Sequence, residues 1–134
     1  MRKTYLFTLL VSVLFSCTLN AQTTKTVDVT QPGTLSATLG EDLKTVKNLT
    51  VTGKINSSDI DGLTQASALE VLNLLDAAIV DVEGKETTAF PGYVLRKHSS
   101  LTTLTFPKTI TSVGNGAFFK CLKLKKVILP ETIK

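Results

Sequence analysis

Few side chains in this chain could do chemistry, and their spacing does not combine them. His98 is the only histidine, and the two cysteines are Cys17 and Cys121. A nucleophile needs a base within reach, and a metal site needs three or four ligands. One histidine and one thiol 23 residues apart in the body of the chain form no ligand motif. The carboxylates Asp59, Asp61, Asp76, Asp81, Glu83 and Glu86 are scattered. Asp59-x-Asp61-Gly62 starts like a calcium loop but lacks the closing acid at the required distance. Asp61 is instead expected to cap a turn before Leu63. There is no glycine-rich phosphate loop and no G-x-S-x-G elbow. The expectation is a protein that is not an enzyme and has no cofactor or metal. Lys120, Lys123, Lys125 and Lys126 form the one dense charge cluster. It reads first as a solvated rim, and second as a contact for an anionic partner such as a sulfated glycan or an acidic protein face.

The elements that would position these residues follow from a repeat. Leu101-x-x-Leu104-x-Phe106-Pro107-x-x-Ile110 returns 23 residues later as Leu124-x-x-Val127-x-Leu129-Pro130-x-x-Ile133. A fixed period in the twenties indicates stacked supersecondary units. Within each unit the alternating apolar residues put Leu104 and Phe106 on one face of a short strand. The proline ends that strand because it has no N–H to donate. Run backwards, the register finds Val46-x-x-Leu49-x-Val51 and Leu69-x-x-Leu72-x-Leu74. Leu49, Leu72, Leu104 and Val127 then form one column, with gaps of 23, 32 and 23. A second column is Ile55, Ala78, Ile110 and Ile133, and a third is Leu63, Leu95 and Phe118. The nine extra residues of the long gap are assigned to a loop over 83–92, which is polar and holds Gly84, Pro91 and Gly92.

The unit L-x-x-L-x-F-P-x-x-I-x-x-V-G-x-x-A-F-x-x-C-x-x-L, running from Leu101 through Cys121 to Leu124, resembles the BspA-type leucine-rich repeat. Val94-Leu95 stands where that pattern has Ala-Phe. The resemblance implies an α/β leucine-rich-repeat solenoid, β-dominated, with one short parallel strand per repeat and short helical or 3-10 turns on the return face. Strands are expected near 49–51, 72–74, 104–106 and 127–129. Cys121 is similar to the structural cysteine of that repeat, which implies a buried, inert thiol. His98 is the corresponding residue one repeat earlier.

Ahead of the repeats, Arg2 and Lys3 precede an apolar run from Tyr5 to Phe15, a charged n-region and h-region of secretory length. Residues 1–21 are read as a Sec-type signal peptide cleaved after Ala21. The rival reading is a lipobox, Leu14-Phe15-Ser16-Cys17, with Cys17 acylated as the protein's membrane anchor. Residues 22–45 are read as an amino-terminal cap segment. Val27-Asp28-Val29 alternates like a strand, and Leu35, Leu39, Leu43 and Val46 have helical spacing that Gly40 interrupts. Residues 46–134 form the repeats, and the array breaks off in mid-repeat at Lys134. A truncated amino-terminal fragment of a larger surface protein, with a structural role only, is therefore the alternative reading. An open last strand would also favour edge-to-edge self-association.

Composition bounds the partners. Without Arg2 and Lys3 the chain carries 13 basic and 11 acidic residues, too even a balance to indicate nucleic acid. Six Phe, two Tyr and no Trp offer no evident platform for stacking bases. Binding in a solenoid belongs to the outward residues of the sheet. These are Thr50, Asn73, Thr103, Thr105, Lys126 and Ile128, a small, mostly polar set. The resemblance implies an exported, non-catalytic module for surface adhesion, with a protein or glycan ligand. Exported proteins of this type are common in Gram-negative anaerobes of gut and mouth.

Overall fold

The computed structural model of the protein describes residues 23–133. The signal segment, the Ala21 site and Cys17 lie outside the described residues. The described residues begin with strand β1 (Thr24–Val29), helix α1 (Leu35–Leu39) and a 3-10 turn (Gly40–Lys44). Strand β2 (Asn48–Ile55), helix α2 (Ser57–Gly62) and a second 3-10 turn (Leu63–Gln65) follow. The remaining elements are strands β3 (Val71–Asn73), β4 (Ala77–Ile79), β5 (Ala89–Phe90), β6 (Thr103–Thr105), β7 (Ser112–Val113) and β8 (Lys126–Ile128). Gly40, with φ +56°, breaks the leucine spacing of 35–46 into a helix and a 3-10 turn, because its backbone leaves the right-handed region there.

The main sheet is parallel, in the order β1-β2-β3-β6-β8. Its register aligns Leu49 with Leu72, Leu72 with Leu104, and Leu104 with Val127. The repeat column is thus one row of cross-strand neighbours. Five strands at about 4.8 Å spacing make a stack about 19 Å long. β1 extends the sheet beyond the four repeat strands and pairs along its whole length with β2, from Thr24 opposite Asn48 to Val29 opposite Gly53. The second column needs a correction. Ile55 aligns with Ile79, not Ala78, through the pairing of β4 with β2. No proline follows the strand in this repeat, and the turn from Leu74 to Ala77 takes one more residue.

The 83–92 segment is likewise not all loop. Asp81 Oδ1 accepts from the backbone N–H groups of Glu83 and Lys85 and closes a turn there. Ala89 and Phe90 then leave it as β5, which pairs in parallel with β7. The two glycines of this region allow the close approach. A Cβ on Gly114 would collide with the backbone of Gly92 and Phe90, and one on Gly92 would collide with Asn115.

The core lies between the sheet and the return segments. Leu49, Leu72, Leu74, Leu104 and Phe106 are at most 1% exposed, as are Leu63 and Leu95 on the return face. Phe106 takes Phe90 on one side (ring centroids 4.7 Å apart, edge-on) and Phe118 on the other (5.6 Å). Such edge-to-face pairs add about 0.5–1.5 kcal/mol beyond area burial. The core opens at the last strand. Val127 is 38% and Leu129 54% exposed, because no strand packs on the far side of β8 among the described residues.

Candidate functional site

Five strands set the outward face of the sheet in two rows. One runs Thr24, Asn48, Val71, Thr103, Lys126, and the other Thr26, Thr50, Asn73, Thr105, Ile128. All six outward residues expected from the repeat lie on these rows. Thr50, Asn73, Thr103 and Thr105 are half-buried, and Lys126 and Ile128 are exposed. Sequence reasoning missed Thr24, Thr26, Asn48 and Val71, which continue the same rows. Asn73 is committed locally, since its Oδ1 accepts the N–H of Leu75. These rows are therefore hydroxyl-rich and without an aromatic side chain. Their hydroxyl groups can hydrogen-bond an extended partner.

The histidine and the body cysteine are structural, and they occupy equivalent positions. His98 is 1% exposed. Its Nε2 lies 3.0 Å from the carbonyl of Leu63, while Nδ1 accepts the backbone N–H of Leu101 (3.1 Å). That pairing requires the neutral tautomer with the proton on Nε2. Burial lowers the pKa of His98, partly opposed by the Leu63 carbonyl. Cys121, one repeat later, donates its thiol to the carbonyl of Leu95, the residue corresponding to Leu63. Each links its turn to the return segment of the preceding repeat. Cys121 is only partly buried, against the expectation of a buried thiol, because β8 and its turn have neighbours on one side only.

Asp59 is the functional-looking group whose role the sequence hid. It is 2% exposed. Oδ2 accepts from Gly33 (2.7 Å) and Asn56 (3.0 Å), and Oδ1 accepts from Leu35 (2.9 Å). The Asn56 side chain accepts the Asp59 N–H in return, completing a capping box. The carboxylate thus fastens the cap segment to the first repeat. Asn56 caps helix α2, and the N-x-x-D spacing was its signal. Asp61, expected to cap the turn at Leu63, lies inside that helix, and the 3-10 turn follows Gly62 with no side-chain cap. Among the described residues no group of three or more His, Cys, Asp or Glu could hold a metal ion.

Two clefts mark the surface. The first, about 390 Å³, is lined by Ser57, Ser58, Asp61, Gly92, Tyr93, Val94 and Arg96. Tyr93 there has φ +59°, a conformation its repeat counterpart Gly116 also holds, at φ +66°. The second, about 330 Å³, is lined by Lys97, His98, Ser99, Lys120, Leu122 and Lys123. Its lysines belong to a wider segregation that whole-chain totals hide. Residues 22–86 carry ten acids and five lysines, whereas residues 87–134 carry eight Lys or Arg and one acid, Glu131. Because sequence order is stacking order, the solenoid is acidic at one end and basic at the other.

No curated protein matches the chain. The family model described as a BspA type leucine rich repeat region (6 copies) matches residues 80–134. That span holds β5 to β8 and the 23-residue spacing, and its strands continue the column of Leu49 and Leu72 without a break in register. The parallel stack, its repeat period and this match together identify residues 80–134 as BspA-type leucine-rich repeats.

Proposed function

We propose that the protein is an exported, non-catalytic binding module that recognises a protein or glycan through the outward face of its sheet, in surface adhesion. The observation that carries this reading is the pair of unbroken rows across β1, β2, β3, β6 and β8, a regular, solvent-facing surface. Solenoids use such extended faces for recognition. The family supports a non-catalytic repeat module, and proteins of this type are typically surface or secreted. Export would proceed through residues 1–21, with Cys17 as the lipid anchor if the lipobox is processed. The mass of the mature amino terminus distinguishes these two.

The test is a printed array of purified extracellular-matrix proteins and of glycans, probed with the protein and with Thr103→Arg/Thr105→Arg. These two residues are half-buried on the outer face, so an arginine there blocks the surface without entering the core. A ligand bound by the parent and lost by the variant, at an unchanged melting temperature, is the expected result. Equal binding by both would remove the sheet face from the reading. A second reading is supported by the exposure of Val127, Ile128 and Leu129. In it, the module acts structurally within a larger assembly, with β8 covered by further repeats or by a second copy.

A further inference from the structure

The basic end of the solenoid carries a cleft of its own, lined by residues that are not on the two outward rows of the sheet. Lys97 and Lys120 occupy the same position in successive repeats, in the turns that lead toward β6 and β8. Both have φ +59°. Glycine adopts that conformation freely, and a lysine does so against steric resistance. The two turns are joined, since the Lys97 N–H donates to the Phe119 carbonyl (2.6 Å). Between them lies the 330 Å³ cleft, with Lys123 completing a set of three ammonium groups. No carboxylate lines the cleft, and none of the three lysines enters an ion pair among the described residues. The apolar wall is supplied by Leu122, which is 90% exposed.

We propose that this cleft binds an acidic polysaccharide, one whose sugar rings carry sulfate or carboxylate groups. The ammonium groups answer the anionic substituents, and Leu122 offers carbon surface to the C–H face of a ring. Nucleic acid suits the cleft less well. Its one aromatic group, His98, is 1% exposed and held by the Leu63 carbonyl, and no Phe, Tyr or Trp lines it for bases to stack on. The nearby Phe119 ring lies under the Lys120 ammonium (5.4 Å), and the cleft has no arginine to grip phosphate in bidentate fashion. Lysines, as mobile point charges, tolerate the variable spacing of substituents along a saccharide. The surrounding positive field, with Lys125 and Lys126 nearby in sequence, would speed capture of a polyanion.

The experiment measures binding to a heparin-type glycosaminoglycan, to neutral dextran of matched length and to a single-stranded DNA oligonucleotide of matched charge. The protein is compared with Lys97→Gly/Lys120→Gly, which keeps the turn conformation, and with Lys108→Ser/Lys125→Ser, which removes equal charge elsewhere in the basic half. Lys123→Ser, at an exposed position, is the second cleft variant should the glycine pair fold poorly. The expected result is binding to the glycosaminoglycan and not to dextran. The cleft variants should weaken it at least tenfold, and the control pair less than threefold. Equal loss in cleft and control variants would mean a diffuse field with no site and would overturn the proposal. So would DNA binding as tight as glycosaminoglycan binding, or no preference for the sulfated chain over dextran.

Discussion

Asp59 shows how a residue type that suggests chemistry can be spent on the fold. Its carboxylate receives three backbone N–H groups from two segments, in a place with almost no access to water. Removing it leaves those donors buried without acceptors. Asp59→Ala should lower unfolding free energy by about 2–4 kcal/mol, since an unsatisfied buried donor costs about 1–3 kcal/mol and bonds to a charged group are worth about 1.5–3 kcal/mol. Asn56→Ala removes only the cap and should cost about 1 kcal/mol. Urea titration of both variants checks the ranking. His98 makes a different prediction. Its folded pKa lies below the ordinary value of 6.5, so the unfolded chain binds the proton more readily. The stability it contributes is complete above about pH 6.5 and is lost as pH falls toward the folded pKa. His98→Cys puts the thiol of the next repeat in its place. That variant should be less stable at pH 7.5 but lose less stability between pH 7 and pH 5, as read from urea midpoints. A parallel pH dependence in both proteins would remove His98 as the cause.

At the scale of the element, the column Leu49, Leu72, Leu104 and Val127 was legible because the spacing is fixed by the sheet itself. Each strand must present its apolar residues in register or lose the core. Where the chain path between strands varies, the sequence was less informative. Ala78 looked like a column member by counting from Leu74. Ile79 takes the position because the turn there is one residue longer. β5 and β7 are two residues each, too short for a periodicity to declare, and only their spatial neighbourhood makes them strands. Their pairing depends on Gly114. Gly114→Ala drives a methyl into the backbone of Gly92 and Phe90 and should cost about 1–3 kcal/mol, as overpacking does. Gly84→Ala has open space around it and bears only the strain of φ +83°, about 1–2 kcal/mol. Only Gly114→Ala should perturb the Phe90–Phe106 contact, seen as ring-proton shifts in NMR spectra. Phe106→Ala, which empties the centre of the aromatic triplet, should cost about 3–5 kcal/mol.

For the whole molecule, apolar surface and charge pull the open end in opposite directions. β8 pairs with β6 on one edge, and its other edge has no strand among the described residues. Leu122, Val127 and Leu129 are exposed beside it, so burying this end against a second copy would gain the free energy of apolar contact. The same end carries Lys123, Lys125 and Lys126, and a like-to-like contact brings those charges together. The charges were readable in the sequence once residues are grouped by repeat, whereas a whole-chain total averages the two ends away. Repulsion between exposed charges is screened beyond about 10 Å at 0.1 M salt and about 3 Å at 1 M, while apolar burial is not weakened by salt. The protein should therefore sediment as a monomer at low ionic strength and associate as salt rises. Val127→Lys should keep it monomeric throughout, since it adds charge to the face that would be buried. Association that instead weakens with salt would mean that the basic end meets the acidic end of another copy. The repeats would then continue head to tail, with β8 against β1, and the contact would extend into a filament because such an interface does not close.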